Sequence, residues 1–150
     1  MILLGAAIGD VSGSSYEFDG ITKPSKEKAI LFPQGSYFTD DTVMTCAICD
    51  SLKNNETENP FIYLRKWVFR YPNAGYGISF RNLVMYGVTP KFDSYGNGAA
   101  MRISPVAYFA KDEKDCIQLA RNMTMCTHPH PEGVKGAITV AVLIYRALHG

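Results

Sequence analysis

The 150-residue sequence has no apolar run approaching the roughly 20 residues that a membrane-spanning helix needs. Neither charge sign dominates. Fifteen Lys and Arg stand against 14 Asp and Glu, a net charge of +1, so nothing in the composition favours nucleic acid or an anionic membrane as a partner. The apolar opening Met1-Ile2-Leu3-Leu4 lacks a basic flank and a cleavage site, and Gly9-Asp10 interrupts it early. It does not read as a signal peptide, and a cytoplasmic location is expected. Cysteine is scarce: Cys46, Cys49, Cys116 and Cys126 suit reduced thiols better than a disulfide framework. There is no internal repeat, no low-complexity tract and no apolar–polar alternation of β type. What remains is helical period in one domain-sized chain, and the expected fold class is all-α.

The most informative stretch is Phe38-Thr39-Asp40-Asp41-Thr42, followed at once by the apolar positions Val43, Met44, Cys46, Ala47, Ile48 and Leu52. The acids therefore stand at the mouth of a helix over about 42–53. Asp at a helix start can cap free N–H groups. Capping needs one acid, however, and two adjacent acids repel unless they share something positive. Hard divalent cations take carboxylate and hydroxyl oxygens, and Thr39 adds a hydroxyl. Cap and metal ligand both remain open on this pattern.

The other segments read as follows. Residues 2 to 8 form a short buried helix ended by Gly9-Asp10, and Glu17 follows as a surface acid or a carboxylate over a pocket. Residues 19 to 37 are a loop broken by Gly20, Pro24, Pro33 and Gly35. Asn59-Pro60 starts a helix with Phe61, Leu64 and Val68 on one face, stopped at Tyr71-Pro72. Gly75-Tyr76-Gly77 opens a short segment ending near Gly87, with Arg81 either exposed or holding a phosphate. Ser94-Tyr95-Gly96-Asn97-Gly98 offers two glycines suited to positive φ, ahead of a helix-like Ala99–Ile103. Such a loop is an anion site in principle and an ordinary turn by default. Asp112 or one of its neighbours caps a helix with Cys116, Leu119, Ala120 and Met123 inward. His128 and His130, separated by Pro129, are not expected in a core. Pro131-Glu132 starts the last helix, with Val134, Ala137, Ile138, Ala141, Val142, Tyr145 and Leu148 as its stripe. Cys46-x-x-Cys49 with His128 and His130 has local zinc-ligand spacing, but the cysteines lie in an apolar helix.

Four stretches stand in one order: Gly5-Ala6-Ala7-Ile8-Gly9-Asp10 with Glu17; Thr39-Asp40-Asp41-Thr42-Val43-Met44; Gly96-Asn97-Gly98-Ala99-Ala100-Met101-Arg102-Ile103-Ser104-Pro105; and Thr127-His128-Pro129. In this combination the sequence resembles the ADP-ribosylglycohydrolase family over nearly the whole chain. The resemblance implies an orthogonal all-α bundle, with residues 1–150 as the N-terminal portion of one domain. It implies a binuclear Mg²⁺ or Mn²⁺ centre and hydrolysis of the bond joining ADP-ribose to a protein side chain or small acceptor. On the matching motifs, Thr39, Asp40 and Asp41 would be metal ligands, with Glu17, Asp40 and Asp41 at the chemistry. Gly96, Asn97, Gly98 and Met101 would line the ADP-ribose groove, and His128 would lie near the ribose. A Gly-Gly-Asp-Thr-Asp-Thr-like motif that completes the family's metal centre has no counterpart here. A non-catalytic ADP-ribose binder is the alternative expectation. Helices left uncovered by a shortened bundle would favour a homo-oligomer.

Overall fold

A computed structural model describes residues 3–17, 25, 27–87 and 94–150. Among these residues there are seven α-helices and no strand. They are α1 (Leu4–Gly13), α2 (Asp40–Lys53), α3 (Phe61–Arg70), α4 (Ile78–Tyr86), α5 (Val106–Phe109), α6 (Glu113–Met125) and α7 (Pro131–His149), with a 3₁₀ turn at Ser14–Tyr16. The all-α expectation holds. Of the loop expected over 19–37, residues 19–24 and 26 lie outside the described set; the rest carries no helix.

Helix α2 is the hub. Val43, Met44, Ala47, Ile48 and Leu52 recur at helical spacing and are all buried. They pack on Leu64 and Val68 of α3, on Tyr76 and Val84, and on Ile103 and Val106. Helices α6 and α7 form the other half of the core, with Cys116, Leu119, Ala120 and Met123 against Ala137 and Ala141. A bidentate Arg146–Glu113 pair, both bonds 2.7 Å, joins these two helices at the surface. Asn59 Oδ1 accepts from Phe61 N–H at 3.0 Å, and Asp112 Oδ1 from Asp115 N–H at 2.8 Å, so both acted as the sequence indicated. Gly87 ends α4 in the left-handed region at φ 66°, where a side chain would be strained.

Three expectations are corrected. The first helix does not stop at Gly9-Asp10; it runs to Gly13, and none of its residues is buried. It packs against α2 and leaves Leu4 and Ile8 exposed. Ala99–Ile103 is not a helix but a run of turns held by Met101 N–H to Asn97 C=O at 3.0 Å. Pro105, which has no N–H, cuts off any longer ladder before α5 begins. Gly96 and Gly98 do not use positive φ.

The core assignment makes a direct prediction. Ile48→Ala should lower the unfolding free energy by about 2–5 kcal/mol, because a fully buried side chain leaves a cavity. Ile62→Ala, at the second residue of α3 and 75 % exposed, should change it by less than about 0.5 kcal/mol. Denaturant unfolding of both variants checks the assignment; equal losses would contradict it.

Candidate functional site

The site is built at the N-terminus of α2. Thr39, not either acid, is the N-cap: its Oγ1 accepts from Asp41 N–H at 3.3 Å. The capping role that sequence left open for Asp40 and Asp41 is therefore filled by a neighbour. A third carboxylate arrives from α1. Asp10 accepts from Thr39 N–H (2.8 Å), Thr39 Oγ1–H (2.7 Å), Thr42 N–H (3.1 Å) and Thr42 Oγ1–H (2.5 Å). Ser14 adds a further tie, its Oγ accepting from Tyr37 N–H at 3.1 Å.

With the cap supplied by Thr39, the two acids are left to face outward in different directions. Asp40 lies beside Gly75, which adopts a positive φ of 97°; a Cβ there would sit in ordinary contact, 3.7 Å from Asp40 Oδ1. Asp41 lies on the other side, its Oδ2 3.4 Å from Thr39 Oγ1. Burial and the neighbouring Asp41 hold the Asp40 carboxyl up at about 6. Burial and Asp10 raise Asp41 as well. Glu17, at the end of the 3₁₀ turn, is exposed and is also raised, by partial burial and by the charges of Asp41 and Asp10. One helix start thus gathers four mutually repelling carboxyl groups.

Asp40 opens onto a cleft of about 350 Å³ whose other walls are Gly77, Ile78, Ser79 and Phe80, the loop residues Ser94, Asn97, Gly98 and Met101, and Arg102 with His128. Arg102 is buried, with Nη2 donating to Thr127 Oγ1 at 2.5 Å and to Met123 C=O at 3.4 Å. Its guanidinium lies 5.8 Å from the Phe80 ring centroid, and its Nε has no hydrogen-bond partner. Thr127 Oγ1 lies 2.9 Å from His128 Nδ1. Thr127 Oγ1 also accepts from Arg102, so this hydroxyl links the guanidinium to the imidazole ring. Burial and the Arg102 charge push His128 down to about 4, so the ring is neutral at physiological pH. Contrary to the sequence expectation, His128 is buried; its ring packs on Gly98, where a Cβ would lie 3.0 Å from Nε2. Gly98 is required for close approach rather than for an unusual φ.

Five expected site residues therefore share one cleft: Asp40, Asn97, Gly98, Met101 and His128. Thr39 lies buried behind Asp40, and Asp41 and Glu17 lie on the α1 side. Gly96 is outside the cleft wall and turns its N–H back to Ser94 Oγ at 3.4 Å. His130 is the N-cap of α7, its Nδ1 accepting from Glu132 N–H at 3.1 Å. Arg81 is exposed and bonds Met85 Sδ. The sequence reading did not single out Asp10, Ser79 or Phe80. Asp10 stands in the first of the family-like stretches but reads locally as a helix end with no site role, because its partners are 29 and 32 residues away.

Among the described residues, no three His, Cys, Asp or Glu side chains are grouped so as to hold a metal ion. The zinc arrangement of Cys46, Cys49, His128 and His130 is not formed; Cys49 is in the core and His130 caps α7. The chemistry of Asp40, Asp41 and Thr39, all oxygen donors and with no basic side chain bonded to either acid, fits one part of a hard cation's shell.

The fold and site define an all-helical protein whose acidic helix start faces a loop-walled cleft with a buried arginine and histidine at its base. The chain belongs to the ADP-ribosylglycohydrolase family, whose sequence profile matches residues 1–150. It is 32 % identical to ADP-ribosylhydrolase ARH3 of Xenopus tropicalis over 173 aligned residues, covering 99 % of this chain and 49 % of the relative. It is 29 % identical to the Homo sapiens ADP-ribosylhydrolase ARH3 over 178 residues, again 99 % of this chain and 49 % of the relative. The chain spans about half the length of the curated relatives it matches.

The opposed shifts of Asp40 and His128 predict a pH signature. Asp40 keeps in the folded state a proton that the unfolded chain has released, so its contribution is present below about pH 4 and lost as pH rises through 6. His128 refuses a proton that the unfolded chain takes, so its contribution is present above pH 6.5 and lost as pH falls toward 4. In chelator, Asp40→Asn should weaken the first trend, to which the raised Asp41 and Glu17 also contribute, and the variant should be more stable than wild type at about pH 7. Denaturant titrations at several pH values measure this, and an Asn variant less stable than wild type at pH 7 would refute it.

Proposed function

We propose that the chain supplies the substrate-holding part, and the Thr39-Asp40-Asp41 part of a metal centre, of a hydrolase that cleaves the glycosidic bond between ADP-ribose and an acceptor. The acceptor is a modified protein side chain or a small molecule. The observation that carries this is the single cleft uniting Asp40, Asn97, Gly98, Met101 and His128 from three separated stretches. The ADP-ribosylhydrolase relatives support the reading.

A Mg²⁺ or Mn²⁺ ion would be held by Thr39, Asp40 and Asp41, and would supply Lewis acidity and positive charge beside the sugar. The chain's own groups do the rest. Asn97, Gly98 and Met101 wall the groove, and Phe80 excludes water from one face. Arg102 places a permanent positive charge at the base of the cleft, complementary to a diphosphate. His128, held neutral by burial and by the Arg102 charge, offers its ring on the cleft wall as a hydrogen-bonding group for a sugar oxygen. Asp40, with its raised pKa, sits at the cleft mouth where an incoming water would be deprotonated. Glu17, from the α1 side, adds negative charge that would favour an oxocarbenium-like transition state.

The absence of a three-ligand group among the described residues favours one rival, an ADP-ribose binder without turnover. Calorimetry of Mg²⁺ and Mn²⁺ with and without ADP-ribose, beside an ADP-ribose release assay, separates the two. The hydrolase reading expects the ion and ADP-ribose to strengthen each other's binding. It also expects Mn²⁺ at a hundred times its Kd to stabilise wild type by about 2.7 kcal/mol, and Asp40→Ala or Asp41→Ala by almost nothing. Release that survives both substitutions would overturn it, and ADP-ribose binding unchanged by chelator, with no release, would establish the binder.

A further inference from the structure

We infer that Asp10 is the positioning residue of the acid pair: it fixes the first turn of α2 and takes the Thr39 proton, so that the Thr39 oxygen faces Asp41 as an acceptor. The inference rests on the glycohydrolase reading for its consequence, and on geometry alone for its cause.

Helix starts are normally satisfied by the N-cap side chain or by water. Here a charged carboxylate from another helix takes both N–H groups and both hydroxyls of the two threonines that bracket Asp40-Asp41. Bonds to an ionised acceptor are roughly twice as strong as neutral ones, and four of them on one carboxylate fix both ends of the bracket at once. The backbone that carries Asp40 and Asp41 is then held on both sides, although their charges repel.

The second effect concerns one proton. Thr39 Oγ1 has a single hydrogen and two carboxylates in reach: Asp10 Oδ1 at 2.7 Å and Asp41 Oδ2 at 3.4 Å. The shorter bond takes the proton. The Thr39 lone pairs then point away from Asp10, one of them accepting from Asp41 N–H at 3.3 Å, and Asp41 Oδ2 is left with only the longer 3.4 Å contact to the hydroxyl. Without Asp10 the proton would turn to Asp41, and one hydrogen would block two oxygen donors together. A neighbour that fixes a ligand's orientation in this way typically governs metal affinity by 10–100-fold when removed.

The test compares wild type, Asp10→Asn and Ser14→Ala. The asparagine keeps the shape but presents an amide N–H₂ toward donors. Ser14→Ala cuts the neighbouring tie to Tyr37 without touching Thr39, and so controls for mere loosening of the same joint. In Asp10→Asn the amides of Thr39 and Thr42 should exchange at least about tenfold faster, while those of α6 and α7 keep their protection. Mn²⁺ affinity, read by calorimetry, should fall about 10–100-fold in Asp10→Asn and stay within about threefold in Ser14→Ala. Unchanged exchange at Thr39 and Thr42 overturns the inference, as does equal Mn²⁺ affinity in Asp10→Asn and wild type, or an equal loss in Ser14→Ala. If wild type itself binds no Mn²⁺, the hydrolase reading fails, and the exchange experiment alone decides the role of Asp10.

Discussion

Negative charge concentrated at one helix start is the constraint that the rest of this structure accommodates. Asp40 and Asp41 sit in the first turn of α2, Asp10 lies under it and Glu17 beside it. The helix dipole and the free N–H groups offset part of the repulsion, which is worth at most about 1 kcal/mol per acid at an exposed terminus. Asp10 is the acid best compensated, with four donors; Asp40 and Asp41 are left with raised pKa values because their charges are not met. The fold therefore satisfies the acid that faces inward and leaves uncompensated the two that face outward. A domain selected for stability alone would place an amide or a threonine at Asp40.

The opposite wall of the cleft has the complementary problem, a buried cation. Arg102 is fully enclosed, and its donors are only partly used, by Thr127 and a carbonyl. Burying a guanidinium without a carboxylate is costly unless something anionic arrives. The nearest carboxylate on the cleft, Asp40, stands on its far side and carries the raised pKa of a group that no cation neutralises. The cleft is thus held between an unmet negative wall and an unmet positive base. A ligand with an anionic group at one end, and a cation bridging the other, would relieve both. That polarity is the physical content of the family resemblance.

Much of this was legible in sequence where one local rule decides the outcome. The stripes of α2, α6 and α7, the caps Asn59 and Asp112, and the stops at Tyr71 and Gly87 depend on periodicity or on single-residue chemistry. Each of the failures below involves at least one partner distant in the chain. Gly9-Asp10 resembles a helix end, yet Asp10 continues a helix because its side chain is occupied by Thr39 and Thr42. Ala99–Ile103 has helical composition, but Pro105 limits its ladder and Arg102 is drawn inward to Thr127. His128 looked too polar for burial. It is buried because Thr127 satisfies one ring nitrogen and Gly98 leaves room for the other.

The glycines make the same point from the other direction. Gly96-Asn97-Gly98 suggests a loop that exploits left-handed backbone, and neither glycine does so. What Gly98 provides is the absence of a side chain 3.0 Å from the His128 ring. Gly133, one turn into α7, provides the same toward Ser94, whose carbonyl would lie 3.0 Å from a Cβ there. Between them these two positions let the Ser94–Gly98 loop close over His128 from one side and α7 from the other. The cleft's shape is therefore set by two missing methyl groups about as much as by the groups that line it. A glycine kept for close approach leaves no trace in local propensity, so motif context across the chain pointed to this site when no single stretch did.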